Sequence, residues 1–249
     1  MWKKRLHNHV LFLDIETVPQ HLSFFDLTDR EQHLFEQKTR YQRPEGSSPE
    51  RFYERAGIWA EFGKIICISV GFLHRNEGRT EFRLRSFFDH EERVLLKEFR
   101  DLLENHFNST KHALCAHNGK EFDFPYLARR MLINGIRIPE LLRLQGKKPW
   151  EVRHIDTMDL WKFGDYKHHC SLPLLCHVFD IPSPKDAMNG SDVGSVYYEE
   201  GNLIRIVDYC EADTIAVARL YLKLMGEDYF DDKAIIQCSV KEMEQEKQK

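Results

Sequence analysis

Three short apolar runs decide what this chain can fold into. Val10-Leu11-Phe12-Leu13, Ile65-Ile66-Cys67-Ile68-Ser69-Val70-Gly71-Phe72 and Ala113-Leu114-Cys115-Ala116 read as buried strands. Glu81-Phe82-Arg83-Leu84-Arg85 alternates strictly, so one of its faces should be wet, and Arg75-Asn76-Glu77-Gly78 supplies a turn that makes it the second arm of an antiparallel hairpin. Residues 90–107 then carry Val94, Leu95, Phe99, Leu102, Leu103 and Phe107 at helical spacing. A further helix starts near Asp123, tolerates Pro125 in its first turn and stops at Asn134-Gly135. Arg153-His154-Ile155-Asp156 reads as a last strand, followed by helical stretches around 158–163 and 171–179. The final long helix starts at the N-cap Asn202 and packs Ile206, Cys210, Val217, Leu220 and Leu224. Three antiparallel-type strands followed by helix–strand–helix–strand–helix is an α/β order.

Residues 20–60 interrupt that order. They combine a helix from Asp29 to Arg40, a polar turn from Pro44 to Pro49, and the aromatic residues Phe52, Tyr53 and Trp59. About 40 residues rarely build a core of their own, so the segment reads as an insertion or lid beside the first strand. The expected organisation is one domain over residues 1–230 and a charged tail over 231–249. The three aromatic residues could stack on unpaired bases or pack the insertion onto the domain.

Bulk properties narrow the class. No run reaches the 18 or so apolar residues of a membrane span. The start, Met1 to His9, is basic but lacks a signal-peptide core, which leads us to expect a cytoplasmic protein. The six cysteines form no Cys-x-x-Cys pair and suit reduced thiols. His168-His169-Cys170 with Cys176-His177 has the wrong spacer for a zinc knuckle. A formal net charge of −4 weighs against a nucleic-acid partner, yet residues 126–154 hold seven Lys and Arg against two Glu, a local +5. Such a run is either a solvated face or a phosphate contact.

Three segments carry the chemistry. Asp14 and Glu16 end the first strand two residues apart, so their side chains share one face; two carboxylates in a loop just past the strand would be the plain alternative. Tyr209 and Asp213 share a face of the last helix, where a boundary Asp beside a core Tyr is common. Asp123, at a helix start, could be only a cap, but Asn118-Gly119 before it is a tight turn that lets backbone approach a ligand. Asp156 and Asp159 could support such a site or simply end a strand and cap a helix. Brought together, four carboxylates cannot all stay ionised without cations, and that is the ligand set of a two-metal site.

In order and in flanking sequence, Phe12-Leu13-Asp14-Ile15-Glu16-Thr17, His117-Asn118-Gly119-Lys120-Glu121-Phe122-Asp123-Phe124-Pro125-Tyr126-Leu127 and Tyr209-Cys210-Glu211-Ala212-Asp213 resemble the three motifs of the proofreading 3′→5′ exonuclease domain of family B DNA polymerases. The chain is similar to stand-alone proteins described as predicted exonucleases of this type, over roughly residues 9–225. It differs in leaving no room for a polymerase domain and in the 20–60 segment. The resemblance implies a ribonuclease H-like α/β fold with a mixed central sheet flanked by helices. It also implies two divalent ions, Mg²⁺ or Mn²⁺, and hydrolysis from the 3′ end of single-stranded DNA with release of 5′-mononucleotides. Asp14 would bridge both ions, Glu16 and Asp213 would hold the one that activates water, Asp123 would serve the second, and Tyr209 would orient the water. Asn118 and Phe122 would contact the terminal nucleotides, with the backbone around Ile15 and Thr17 meeting the 3′ end. An exoribonuclease, a catalytically silent nucleic-acid-binding module, and a partner-docking protein using the insertion and tail are the alternatives.

Overall fold

The computed structural model describes residues 7–76, 79–165, 167, 169–182 and 188–238. Six strands form one sheet in the order β5-β4-β1-β2-β3-β6. They are β1 (Val10–Pro19), β2 (Gly63–Asn76), β3 (Arg79–Phe88), β4 (Ala113–Ala116), β5 (Ile155–Asp156) and β6 (Ile235–Gln237). β1, β2 and β3 pair antiparallel, whereas β4 runs parallel to β1, β5 to β4 and β6 to β3. The sheet is therefore mixed, as the resemblance implies; of the turn expected at Arg75-Asn76-Glu77-Gly78, Arg75 and Asn76 instead continue β2, and Glu77-Gly78 lies outside the described residues.

Eight α-helices are described: α1 (Asp29–Thr39), α2 (Pro49–Phe52), α3 (Glu92–His106), α4 (Asp123–Ile133), α5 (Thr157–Lys162), α6 (Leu172–Val178), α7 (Val193–Tyr198) and α8 (Leu203–Leu224). Alternation along β1 feeds two cores. Leu11, Leu13 and Ile15 join Leu95, Phe99 and Leu103 of α3 and Phe124, Leu127 and Met131 of α4 on one face. Val10 and Phe12 join Leu172 and Leu175 of α6 and Val217 and Leu220 of α8 on the other. α8 begins where its cap dictates, with the Asn202 side chain accepting the Arg205 N–H at 3.1 Å.

Residues 20–62 gather Phe24, Phe35, Phe52, Tyr53 and Phe62, with Trp59 against them, into a small aromatic cluster. Of the two roles open to Phe52, Tyr53 and Trp59, packing is the one found. Hydrogen bonds from α4 anchor this segment. Tyr126 Oη donates to the Gly57 carbonyl at 2.7 Å, and Arg130 Nη1 donates to the Ala60 carbonyl at 2.8 Å. Arg130 is ion-paired with the buried Glu92, which also accepts the Ile65 N–H at 2.8 Å.

The chain past residue 230 differs from expectation. Asp232 accepts from Arg219 Nη2 at 2.6 Å, Phe230 stacks on Phe82 at 4.7 Å, and β6 then lies along β3. The fold thus continues through Cys238, whose N–H donates to the Leu84 carbonyl, and the remainder of the expected tail, 239–249, lies outside the described residues. No helix among the described residues is long and apolar enough to cross a membrane.

Candidate active site

Asp14 and Glu16 follow Phe12 on the α8 face of β1, and Val18 beyond them packs with Ile206 and Tyr209 of α8. The two carboxylates thus occupy a polar gap between two apolar contacts of a single helix. Asp14 is half-buried and Glu16 is 8% exposed, so these are not loop carboxylates bathed in water. The pairing with β2 shifts register between Glu16 and Thr17, where Ile66 of β2 is the extra residue, immediately past the second acid. From α8, Cys210 Sγ donates to the Asp14 carbonyl at 3.4 Å, which pins the helix to the strand. One turn separates Tyr209 from Asp213, and the Tyr209 hydroxyl donates to the Asp213 carboxylate.

Asp123 arrives from the opposite side. β4 pairs with β1 only from Val10 to Phe12, so the two strands part before Ile15. The Asp123 carboxylate takes the Ile15 N–H thus left without a β4 partner, along with its own N–H. Phe122, not Asp123, holds the N-cap position of α4, so the capping alternative does not describe this carboxylate. A crevice where neighbouring strands of an α/β sheet part is the usual place for a ligand.

Asp156 holds the loop between β4 and α4. Its buried carboxylate accepts the backbone N–H groups of Asn118 at 2.9 Å, Lys120 at 3.0 Å and Met158 at 3.0 Å. It therefore caps α5 and fixes the tight turn together, where the sequence left the two roles apart. Within that turn Asn118 has φ +63°, and a Cβ on Gly119 would collide with Ala116 and Phe124. His117 bridges the Thr157 hydroxyl and the Cys170 carbonyl, each at 2.9 Å, and burial holds its pKa below the ordinary value. Among the residues expected to meet nucleic acid, Ile15 is a core side chain offering only backbone, and the Thr17 hydroxyl is bonded to Tyr126. Asn118 and Phe122 are half-buried, with the Phe122 ring against that of Tyr126.

Burial and mutual repulsion dominate the electrostatics. Burial, then the charges of Glu16, Asp213 and Asp123, push the Asp14 carboxyl well above the usual range. Glu16 is raised by burial and then chiefly by Asp213. Asp123 is pushed up to about 7, by burial first and by Asp156, against the two N–H groups it accepts. Tyr209 is pushed far up by burial and by Asp213, Glu16 and Asp14, so its hydroxyl stays a donor at any ordinary pH. Among the described residues, no Lys or Arg is ion-paired with Asp14, Glu16 or Asp123. Ligand atoms of Asp14, Glu16 and Cys210 lie within 4.8 Å of one another. Cys210 was not foreseen as part of such a group. Burial raises its thiol well above the ordinary value and its S–H donates to the Asp14 carbonyl, so the ligand atoms that remain are carboxylate oxygens. Oxygen donors with surplus negative charge fit hard divalent cations of the Mg²⁺ or Mn²⁺ class. Cys170 and Cys176 lie in the apolar core and His169 and His177 are exposed, so the described part of that cluster forms no ligand group; His168 lies outside the described residues.

A family model described as a predicted 3′–5′ exonuclease related to the exonuclease domain of PolB matches residues 58–246. No curated protein matches the chain. The matched span contains Asp123, Tyr209 and Asp213, while Asp14 and Glu16 precede it and reach the same crevice through the pairing of β1 with β2 and β4.

Proposed function

The chain belongs to the family of predicted 3′–5′ exonucleases related to the exonuclease domain of PolB, and from that premise we propose that it uses two divalent ions to remove 5′-mononucleotides from the 3′ ends of single-stranded DNA. One observation carries the reading: Asp14 and Glu16 from β1, Asp123 from α4 and Asp213 from α8 act on one another's charge in one crevice, with Tyr209 bonded to Asp213. Bound divalent ions would neutralise these carboxylates, lower the pKa of an attacking water and offset charge on the leaving oxygen.

Asp14, repelled by the other three acids, is the natural bridging ligand. Glu16 and Asp213 would share one ion and Asp123 would serve the other. Tyr209 cannot take a proton at neutral pH, since its phenol is held far above the ordinary value; its part is to position water while donating to Asp213. The turn at Asn118 and the ring of Phe122 would meet the terminal nucleotides. Glu16 and Asp123 are more than nine-tenths buried, so a phosphodiester must be led down to them, which an unpaired end does more readily than a duplex.

The test is a panel of 5′-labelled single-stranded DNA, 3′-recessed duplex and RNA incubated in Mg²⁺ or Mn²⁺. A ladder shortening one nucleotide at a time on single-stranded DNA, absent in Asp14→Ala, is expected. No shortening, or shortening that survives Asp14→Ala, overturns the proposal, and preferential loss of RNA reassigns the substrate.

A further inference from the structure

The basic run between α4 and β5 takes no part in the crevice, and most of its cations are not neutralised by the protein. Among the described residues, Arg137, Lys147, Lys148 and Arg153 make no ion pair with a carboxylate; of the run's loop cations only Arg143 does, with Glu140. The carboxylate of Glu151, the other acid of the run, accepts the Lys148 backbone N–H instead. Lys147 and Arg153 line a cavity of about 350 Å³ whose lining also includes Glu140, held by Arg143, and Glu151, held by the Lys148 N–H. Beside it Trp150 stands 77% exposed, with the Lys148 ammonium 5.3 Å from its ring centroid. A chain of net charge −4 that concentrates cations without carboxylate partners around an exposed indole has the chemistry of a single-strand contact, phosphates on the cations and a base on the ring.

The patch is also connected to the crevice. Arg153 precedes Asp156, which holds the Asn118 turn, by three residues, about 10 Å of extended chain. The buried His154 next to Arg153 ties the loop to β4, accepting the Leu114 N–H on Nδ1 at 3.2 Å and donating from Nε2 to the Leu141 carbonyl at 2.7 Å.

We propose that the Lys147–Arg153 loop is a second nucleic-acid site, binding the phosphates and a base of the single strand upstream of the 3′ end held in the crevice. This rests on the exonuclease reading, and the experiment separates the two. Binding of an oligonucleotide of about twenty residues is measured in chelator at two salt concentrations. Independently, hydrolysis of that oligonucleotide is compared with hydrolysis of a dinucleotide too short to reach the loop. Lys147→Ala/Lys148→Ala/Arg153→Ala removes three phosphate-binding cations and should flatten the salt dependence of log K by about 2. Wild type then loses about twentyfold more affinity than the variant between roughly 50 and 200 mM salt. The ratio of long- to short-substrate kcat/KM should fall about tenfold, and Trp150→Ala should lower long-strand affinity about tenfold without changing the salt slope. A control removing three exposed cations outside the loop, Arg51→Ala/Arg93→Ala/Lys97→Ala, should do neither. An unchanged slope in the loop variant, or an equal loss in the control, overturns the proposal. Failure of wild type to cleave even the dinucleotide counts against the exonuclease reading, while the binding slopes still decide the loop.

Discussion

Burial of the Asp123 carboxyl should make stability fall as pH rises, and the amount can be worked from its surroundings. The carboxyl is held at about 7 against an ordinary 3.8, so between those pH values the folded chain keeps a proton that the unfolded chain has released. Stability must then fall as pH rises through that window and level off above it. The full difference of about three pH units corresponds to roughly 4 kcal/mol, of which about 3 kcal/mol is lost between pH 5 and 8. Asp14 and Glu16 are raised as well and push in the same direction, so the loss for the whole site exceeds the Asp123 share. Denaturant melts in chelator at pH 5 and pH 8 measure it. Asp123→Asn keeps an oxygen for the Ile15 N–H and removes the charge; it should flatten the pH dependence by about 3 kcal/mol and be more stable than wild type at pH 8. Saturating Mn²⁺, at about a hundredfold over its Kd, should return about 2.7 kcal/mol to wild type for each ion bound. A wild-type protein equally stable at both pH values in chelator, or one matched by Asp123→Asn, would refute the reasoning.

Tyr209→Phe keeps the packing of α8 against Val18 and Ile66 but loses the hydroxyl that donates to Asp213. Its kcat should fall about tenfold to a hundredfold with strand affinity unchanged, as single-turnover kinetics and binding in chelator would report. Asp156→Ala leaves the N–H groups of Asn118, Lys120 and Met158 without their acceptor. A stability loss of about 3 kcal/mol or more in urea, with activity also reduced, is the expected outcome. Arg130→Ala strands the buried Glu92 charge and frees the Ala60 carbonyl, so it should cost about 3–5 kcal/mol by the same melt.

Local chemistry explains what the sequence made readable. Helix α8 starts at Asn202 because the cap hydrogen bond spans three residues, and α4 starts at Asp123 just after the Asn118 turn. Asp14 with Glu16, and Tyr209 with Asp213, could be placed on common faces from period alone. β6 could not be read, since Ile235-Ile236-Gln237 is three residues long and its strand character comes from pairing with Phe82 to Leu84, far back in the chain. The six residues of α7, rich in Val and Tyr, likewise owe their helix to packing against Val18, Ile66 and Ile206. The hold of Asp123 on the Ile15 N–H depends on β4 parting from β1, and the hold of Asp156 on the turn depends on β5 reaching β4. No local pattern encodes either, because both are products of the assembled sheet.

Calorimetric titration of the chelator-stripped protein with Mn²⁺, beside Asp14→Ala, tests the central claim most directly. Two ions per chain in wild type, with Asp14→Ala losing both from the measurable range, is the predicted result. Absence of Mn²⁺ binding in wild type, or a titration unchanged by Asp14→Ala, would contradict the assignment of these carboxylates to metal.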